Sequence, residues 1–93
     1  MKYTVVVTPE ALRDMARLEA FLSRHSERAS ARAVGVIRAG LRSLTTMPKH
    51  ARTIAEPLHV LDIPFGQSGY SVWLRVENDA IIVARIFHMR EDR

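Results

Sequence analysis

The sequence predicts a single α+β domain in which a helical hairpin packs on a small twisted, mainly antiparallel sheet, in the order β-α-α-β-β-β. Three observations lead to this prediction. A β-branched run lies near the start of the chain, two stretches with helical apolar spacing follow it, and three apolar strands separated by turn residues come last. A chain of 93 residues has the length of one domain, so 1–93 is treated as one unit.

The first strand and the first helix are predicted from segment 3–24. Residues 3–8 read YTVVVT, and β-branched side chains of this kind favour strands. Thr8 has the features of a helix N-cap, because Pro9 suits the first helical position and Glu10 the first turn. Apolar side chains then recur at spacings of three and four, and we expect them to form the buried stripe of the helix: Leu12, Met15, Leu18 and Leu22.

The second helix is predicted to begin after Ser26, which can cap it, and to end before Pro48. Glu27 would lie in its first turn, where an acid suits the helix dipole. Its apolar stripe consists of Ala33, Ile37, Leu41 and Leu44. Gly35 and Gly40 each lower helix propensity by roughly 1 kcal/mol relative to alanine. We expect such small residues at places of close approach within the helix pair.

The remaining segments are predicted as a loop and two strands. Residues 47–57 are polar with two prolines and read mostly as loop. A short strand covers 58–63 and is stopped by Pro64. After a glycine-rich turn at 65–69, residues 70–76 alternate in polarity, as expected for a strand with one buried face.

The last strand is predicted at 80–89, after a turn at Glu77, Asn78 and Asp79. This strand is nearly all apolar, which indicates a central position with both faces covered. The strand at 3–8 is expected to lie beside it, because the two helices form a connection long enough to reach that position.

Composition limits the classes of function. The chain has no cysteine, which excludes disulfides and thiolate metal sites, and its residues form no apolar run long enough for a transmembrane helix and no signal peptide. A cytoplasmic location fits best. The net charge is +4, and 12 of the 14 cations are arginine, an excess that codon usage favouring arginine would also explain. A basic protein of this kind can still bind an acidic partner, which could be RNA, DNA or an acidic protein. Mixed acids and arginines on the helices indicate solvated faces rather than a nucleic-acid stripe.

Candidate chemistry is limited to the sheet and the end of the last strand. The four histidines lack metal-ligand spacing, so no metal site and no cofactor is predicted. Trp73 and Arg75 share one strand face, whereas Arg85 and His88 are three apart and point to opposite faces unless the strand bulges. Such groups, with Arg90, suit either cleavage of RNA or simple packing of arginine on an aromatic ring.

The chain resembles toxins of the RelE/ParE superfamily, the toxic half of type II toxin–antitoxin modules. The likeness spans nearly the whole sequence and includes ALRDMARLEAFL, LRSLTTMP and, most specifically, FGQSGYSVWLRVENDAIIVARIFHMRED. It implies the β-α-α-β-β-β fold and one of two activities. RelE-like members cut mRNA on the ribosome, and ParE-like members inhibit DNA gyrase by trapping the cleaved-DNA complex.

Departures from the nuclease pattern favour the ParE-like activity. Ser71 stands where RelE-like nucleases usually carry arginine, the strand LHVLDIPF has no lysine and includes Asp62, and Met89 follows His88 with no later tyrosine. No catalytic residue is therefore predicted. If the nuclease alternative holds, its candidates are Arg75, Arg85, His88 and Arg90. A second alternative is an attenuated toxin that acts only as an antitoxin-binding module.

The resemblance also implies partners: a ParD-like antitoxin, in a heterotetramer or larger complex, and DNA gyrase. No helix-turn-helix is present, so this chain is not expected to read DNA sequence itself, and no membrane association is expected. Candidates for target binding are Arg13, Arg17, Arg24, Arg28, Arg32, His88 and Arg90. Candidates for antitoxin binding are Leu12, Met15, Trp73, Arg75 and Arg85.

Overall fold

The computed structural model of the protein describes residues 2–90. In chain order the elements are β1 (Thr4–Val7), α1 (Pro9–Ser23), α2 (Glu27–Ser43), a 3₁₀ turn (Pro48–His50), β2 (Arg52–Ala55), β3 (Leu58–Phe65), β4 (Ser68–Glu77) and β5 (Ala80–His88). Thr8 and Ser26 cap the two helices by accepting hydrogen bonds from Ala11 N–H and Ala29 N–H. No helix within the described range is long and apolar enough to cross a membrane.

The five strands form one mixed sheet in the order β1-β5-β4-β3-β2. β1 runs parallel to β5, from Thr4 beside Ala80 to Val7 beside Val83, and all other neighbouring strands are antiparallel. The predicted α+β class, the helical hairpin and the place of the first strand beside the last are confirmed. The strand at 80–88 lies inside the sheet between β1 and β4, but the prediction that both of its faces are covered is wrong, because the helices cover only one of them.

Two predictions for the segment before β4 are wrong. The expected loop at 47–57 contains the 3₁₀ turn and β2, which lies at the sheet edge with all four residues exposed. An exposed edge strand needs no apolar alternation, so its sequence gives no strand signal. β3 also continues through Pro64, which pairs with Gly69. β2 borders only the start of β3, and a proline is tolerated where a strand has an open edge.

The core lies between the helices and one face of the sheet. Its fully buried large side chains come mainly from α2, β4 and β5: Tyr70, Ile37, Leu44, Leu74, Ile81, Ile86, Val72 and Val83. The predicted stripe of α2 is confirmed. The stripe of α1 is displaced by one residue at its start, because Ala11 is fully buried whereas Leu12 is 56% exposed. The helix turns by about 100° per residue, so with Ala11 facing the core the Leu12 side chain is turned toward solvent.

The two helical glycines differ in their surroundings. A Cβ atom on Gly40 would lie 2.6 Å from Cδ1 and 3.1 Å from Cγ1 of buried Ile63, whereas one on exposed Gly35 would meet nothing within 4 Å. The expected close approach therefore exists only at Gly40, and it is made with β3 rather than with the other helix.

Gly35→Ala should raise the free energy of unfolding by about 0.5–1 kcal/mol, because the gain in helix propensity meets no steric cost. Gly40→Ala should lower it by about 1 kcal/mol, because overpacking of a core costs about 1–3 kcal/mol and exceeds that gain. Urea denaturation of the two variants measures both effects. Equal stabilisation by both would contradict the tight helix–sheet contact at Gly40.

Candidate functional site

The site lies along the C-terminal half of β5, where its parallel neighbour has ended. β1 pairs with β5 only as far as Val83, and a bulge displaces the register with β4 so that Trp73 faces Arg85 while Leu74 faces Val83. Beyond this point the strand alternates normally. Arg85 therefore points to the uncovered face of the sheet and His88 to the helix-covered face, as expected from their spacing.

Side chains of the N-cap and of α1 take over the hydrogen bonds that a neighbouring strand would make. The Thr8 hydroxyl lies 2.9 Å from the carbonyl oxygen of Val83 and 3.1 Å from that of Ala84. The Asp14 carboxylate accepts from Ile86 N–H (2.9 Å), and Arg17 Nη2 lies 3.4 Å from the Ile86 carbonyl oxygen. The open edge of β5 is thus satisfied by the helix that packs over it.

Asp14 is 4% exposed and has four donors around its two oxygens. Besides Ile86 N–H, it accepts from Arg85 Nε (2.8 Å) and Nη2 (3.1 Å) and from Arg17 Nη2 (3.3 Å). Burial on its own would raise the pKa of Asp14. The hydrogen bonds from Arg85, Ile86 N–H and Arg17, with the charge of Arg85, outweigh it and hold the pKa below the ordinary value of 3.8.

A groove of about 530 Å³ opens between the second half of α1 and the ends of β4 and β5. We call it the α1–β5 groove; its lining residues are Arg17, Leu18, Phe21, Leu22, Tyr70, His88 and Arg90. Its floor is apolar, and Phe21 on its rim is 60% exposed. Arg17 and Arg90 give the rim positive charge, and no acidic residue lines the groove among the residues that the structure describes.

His88 lies at the end of the groove in a fixed orientation. Its ring meets that of Tyr70 edge-on, with centroids 5.5 Å apart and planes at 84°. Its Nδ1 accepts a hydrogen bond from Arg90 N–H (3.1 Å), so the neutral ring carries its proton on Nε2. Met89 N–H donates to the Gly69 carbonyl oxygen (2.9 Å), which ties the end of β5 to the start of β4. Burial raises the pKa of the Tyr70 hydroxyl.

Three of the seven predicted target-binding residues meet in the α1–β5 groove: Arg17, His88 and Arg90. The other four are exposed but lie elsewhere on the helices. Arg13 is 3.8 Å from Glu10, and the Arg32 guanidinium lies 5.8 Å from the centre of the Phe65 ring. Of the predicted arginines on the two helices, Arg17 alone lines the groove among the residues that the structure describes. Residues 91–93, which complete the His-x-Arg-Glu segment, lie outside the described residues.

The four residues required by the nuclease alternative are not brought together. Arg75 is on the uncovered face of β4 and contacts Glu77 (3.4 Å). It is five residues from Tyr70, which pairs with His88, so it lies roughly 17 Å along the strand from the groove at ~3.4 Å per residue. Arg85 is tied to Asp14 and stacks over Phe87 at 4.7 Å. Of these four residues, only His88 and Arg90 line the α1–β5 groove.

The predicted antitoxin-binding residues lie on two surfaces. Leu12 is exposed on α1, whereas Met15 is half-buried against the core. Trp73, Arg75 and Arg85 share the face of the sheet that no helix covers. Within the described residues, no group of three or more potential metal ligands is present.

Sequence reasoning missed Asp14, Phe21 and Tyr70 as site residues. Asp14 carried one signal that could have identified it. It lies three residues after Ala11 and four before Leu18, so it is an acid on the buried face of an amphipathic helix. Such an acid requires donors. Arg17 is only three residues away, but the donors with the shortest hydrogen bonds, Arg85 and Ile86 N–H, are 71 and 72 residues away in the chain.

Asp14→Asn should lower the free energy of unfolding by about 2 kcal/mol at neutral pH, because it weakens charged hydrogen bonds to a buried group. A lowered folded-state pKa means that the carboxylate stabilises the fold above its ordinary pKa and loses this effect as pH falls through the folded-state value. The difference between wild type and variant should therefore shrink below about pH 4. Urea denaturation of wild type and variant at several pH values measures this difference in the free energy of unfolding. Asp79→Asn, in the exposed β4–β5 turn, is the control, and a pH-independent difference for Asp14→Asn would contradict the linkage.

Comparison with known proteins gives the family. A family model described as "ParE toxin of type II toxin-antitoxin system, parDE" matches residues 5–93. Two similar proteins of Caulobacter vibrioides are named toxins. Toxin RelE1 is 38% identical over 93 residues and covers all of both chains, and Toxin RelE3 is 31% identical over 90 residues, covering 97% of this chain and 98% of its own.

Solved structures share the fold at low sequence identity. A chain of the chromosomal ParDE system of P. aeruginosa has a TM-score of 0.75 at 15% identity and covers 94% of this chain and 96% of its own. A chain of the RelBE2 toxin–antitoxin complex of Mycobacterium tuberculosis has a TM-score of 0.64 at 19% identity, and it covers 95% of this chain and 99% of its own. With a family match over nearly its whole length, the chain belongs to the ParE toxin family of type II toxin–antitoxin systems, within the RelE/ParE superfamily.

Proposed function

We propose that this toxin inhibits DNA gyrase by binding it and trapping the cleaved-DNA complex, with the α1–β5 groove as the contact surface. In this proposal the toxin acts in the cytoplasm and is neutralised by a cognate ParD-like antitoxin. It performs no covalent chemistry, so Arg17, His88 and Arg90 are contact residues.

The separation of the candidate nuclease groups supports this proposal most. A phosphoryl-transfer site needs its proton-transfer groups within about 3 Å of the reacting atoms and its cations around the same phosphate. Arg75 and Arg85 lie on the opposite face of the sheet from His88, and each is beside a carboxylate. Two of the four candidates are thus unable to act at the groove without rearrangement.

The groove has the composition of a protein-binding surface. Binding energy at interfaces concentrates in aromatic and arginine side chains set in a desolvated apolar surround. Phe21 on the rim, the buried ring of Tyr70 on the floor and Arg17 beside them provide such a combination. The positive rim would also steer the toxin toward an acidic surface of its target.

An antitoxin partner is supported by the family and by the toxin–antitoxin complexes among the structural relatives. The net charge of +4 favours an acidic antitoxin segment. Exposed Leu12 on α1 and partly exposed Trp73 on the uncovered sheet face are apolar residues that such a segment could bury on binding. We expect a complex with two copies of each chain, or a larger one.

The alternative function is ribosome-dependent cleavage of mRNA, and it is favoured by the naming of two relatives as RelE toxins. His88 with its proton on Nε2, and Arg90 beside it, would then act on a phosphate in the groove. The ribosome would have to supply the missing cationic groups or reposition Arg75 and Arg85.

Two assays run side by side test the proposal: supercoiling of plasmid DNA by gyrase, and ribosome-dependent cleavage of a reporter mRNA, each with purified toxin. Loss of supercoiling with accumulation of cleaved DNA and intact mRNA is the expected result. Cleaved mRNA with normal supercoiling would overturn the proposal in favour of the nuclease. Neither effect, with antitoxin binding intact, would identify an attenuated toxin.

His88→Ala should raise the toxin concentration for half-maximal gyrase inhibition by at most about tenfold, because one lost contact costs about 1 kcal/mol. Removal of a general acid or base would instead lower a cleavage rate by about 10²–10⁴-fold. His50→Ala, at an exposed histidine of the 3₁₀ turn, is the matched control. A loss of toxicity beyond about a hundredfold in His88→Ala alone, with the fold intact, would argue for catalysis.

A further inference from the structure

The Tyr70 hydroxyl is a polar group on the floor of the α1–β5 groove that the fold itself does not use. We propose that it anchors a carboxylate of the target protein. The groove would receive an acidic residue with apolar neighbours, the carboxylate at Tyr70 and the apolar groups along α1. This inference deepens the proposed function and rests on it, because the groove is the proposed contact surface.

Tyr70 is buried, but its hydroxyl has no partner within the described part of the chain. The residue is 2% exposed, and its ring contacts those of Phe65 and His88, with centroids 5.9 Å and 5.5 Å away. No described residue forms a hydrogen bond with the hydroxyl, and burial alone raises its pKa. Buried hydroxyls are nearly always hydrogen-bonded, because an unpaired one loses its contacts with water without replacement. A hydroxyl kept in such a place therefore points to a partner from outside the fold.

The groove is the place where such a partner can reach Tyr70. Tyr70 is one of the lining residues, so the small surface that it retains opens on this cleft of about 530 Å³. The walls above it come from α1 and are apolar, with Leu18 and Leu22 inside and Phe21 on the rim. In binding sites of this kind the apolar walls supply affinity, and a few polar groups decide which chemical group enters.

The groups around the hydroxyl favour an acceptor with negative charge. His88 Nδ1 accepts from Arg90 N–H, so the neutral ring offers an N–H donor at Nε2. The Tyr70 hydroxyl can donate as well, and neighbouring donors suit a group with several lone pairs. Arg90 is exposed and lines the groove, whereas no acid lines it within the described range. A carboxylate meets all of these conditions, and a cation meets none of them.

The extent of the apolar surface favours a protein segment as the source of this carboxylate. Phe21 is 60% exposed, and its ring lies 5.6 Å from that of His25 at the end of α1. The aromatic surface thus continues past the groove along the helix. A small free acid would leave this surface in water, whereas an acidic residue with apolar neighbours would cover it and reach Tyr70 at the same time.

Tyr70→Phe separates a binding role from a structural one. It removes the hydroxyl and keeps the ring with its contacts to Phe65 and His88. Since the hydroxyl has no partner in the fold, the urea midpoint of the variant should equal or exceed that of the wild type. Tyr3→Phe is the matched control, because Tyr3 is half-buried against the core and does not line the groove.

The experiment titrates hydrocinnamate, an aryl carboxylate, into isotope-labelled toxin and follows the amide shifts of the groove residues by NMR. Phenylpropylamine, which has a similar shape and the opposite charge, is titrated in parallel. We expect hydrocinnamate to shift the amides of Tyr70 and His88 and the amine to bind at least about tenfold more weakly. Tyr70→Phe should raise the Kd of hydrocinnamate about tenfold, because a hydrogen bond to a charged group is lost, and Tyr3→Phe should leave it unchanged.

The inference is overturned if hydrocinnamate does not shift the groove amides, if the amine binds as tightly, or if Tyr70→Phe binds hydrocinnamate like the wild type. A lower urea midpoint in Tyr70→Phe alone would show that the hydroxyl serves the fold and would overturn it too.

Gyrase supercoiling with the same proteins separates this inference from the proposed function. Half-maximal inhibition should require about tenfold more of Tyr70→Phe than of wild type or Tyr3→Phe. An unchanged requirement, with hydrocinnamate binding weakened, would give the groove to another occupant such as an antitoxin segment and overturn the inference. Normal supercoiling with wild-type toxin, together with the expected hydrocinnamate results, would overturn gyrase inhibition and leave the groove as a carboxylate-binding site.

Discussion

The edge of β5 beyond Val83 imposes the constraint on which the functional half of the molecule depends. β1 ends there, and a buried strand edge without a neighbour would leave peptide groups unsatisfied at a cost of about 1–3 kcal/mol each. The protein meets this need with side chains of Thr8, Asp14 and Arg17, so that α1 serves as the neighbour of β5 over its last residues. The helix is thereby held close to the strand at Ile86, and the α1–β5 groove opens just beyond it, where the helix and the strand separate.

This solution also determines what the groove can do. The carboxylate that satisfies β5 retains Arg85, so that cation is not available at the groove. It leaves Arg17 on the rim beside an apolar floor, with His88 oriented by Tyr70 and by the amide of Arg90. These aromatic and cationic groups on an apolar floor are the features on which the proposed protein-binding role of the groove rests.

Patterns of local spacing were sufficient for most of the fold. The alternation of Tyr70, Val72 and Leu74 correctly predicted the buried face of β4, because side chains alternate every two residues along a strand. The apolar stripe of α2 was also predicted correctly, because a helix repeats every 3.6 residues. β2 was missed because an exposed edge strand carries no such pattern. Motif comparison found His88 and Arg90, but the pairing of Asp14 with Arg85 joins residues 71 positions apart and has no local signature. Opposite faces for Arg85 and His88 could be predicted from their spacing, whereas the bulge at the register of Trp73 could not.

The most direct measurement is native-state hydrogen exchange at the Ile86 amide, compared with that of Leu74 in the central strand β4. If the Asp14 carboxylate serves as the acceptor that a neighbouring strand would otherwise provide, the Ile86 amide in the wild type should exchange nearly as slowly as that of Leu74. In Asp14→Ala it should exchange at least a hundredfold faster, beyond the change at Leu74 that reports the loss of global stability. Rapid exchange at Ile86 in the wild type, or equal changes at both amides in the variant, would contradict the central role of this carboxylate.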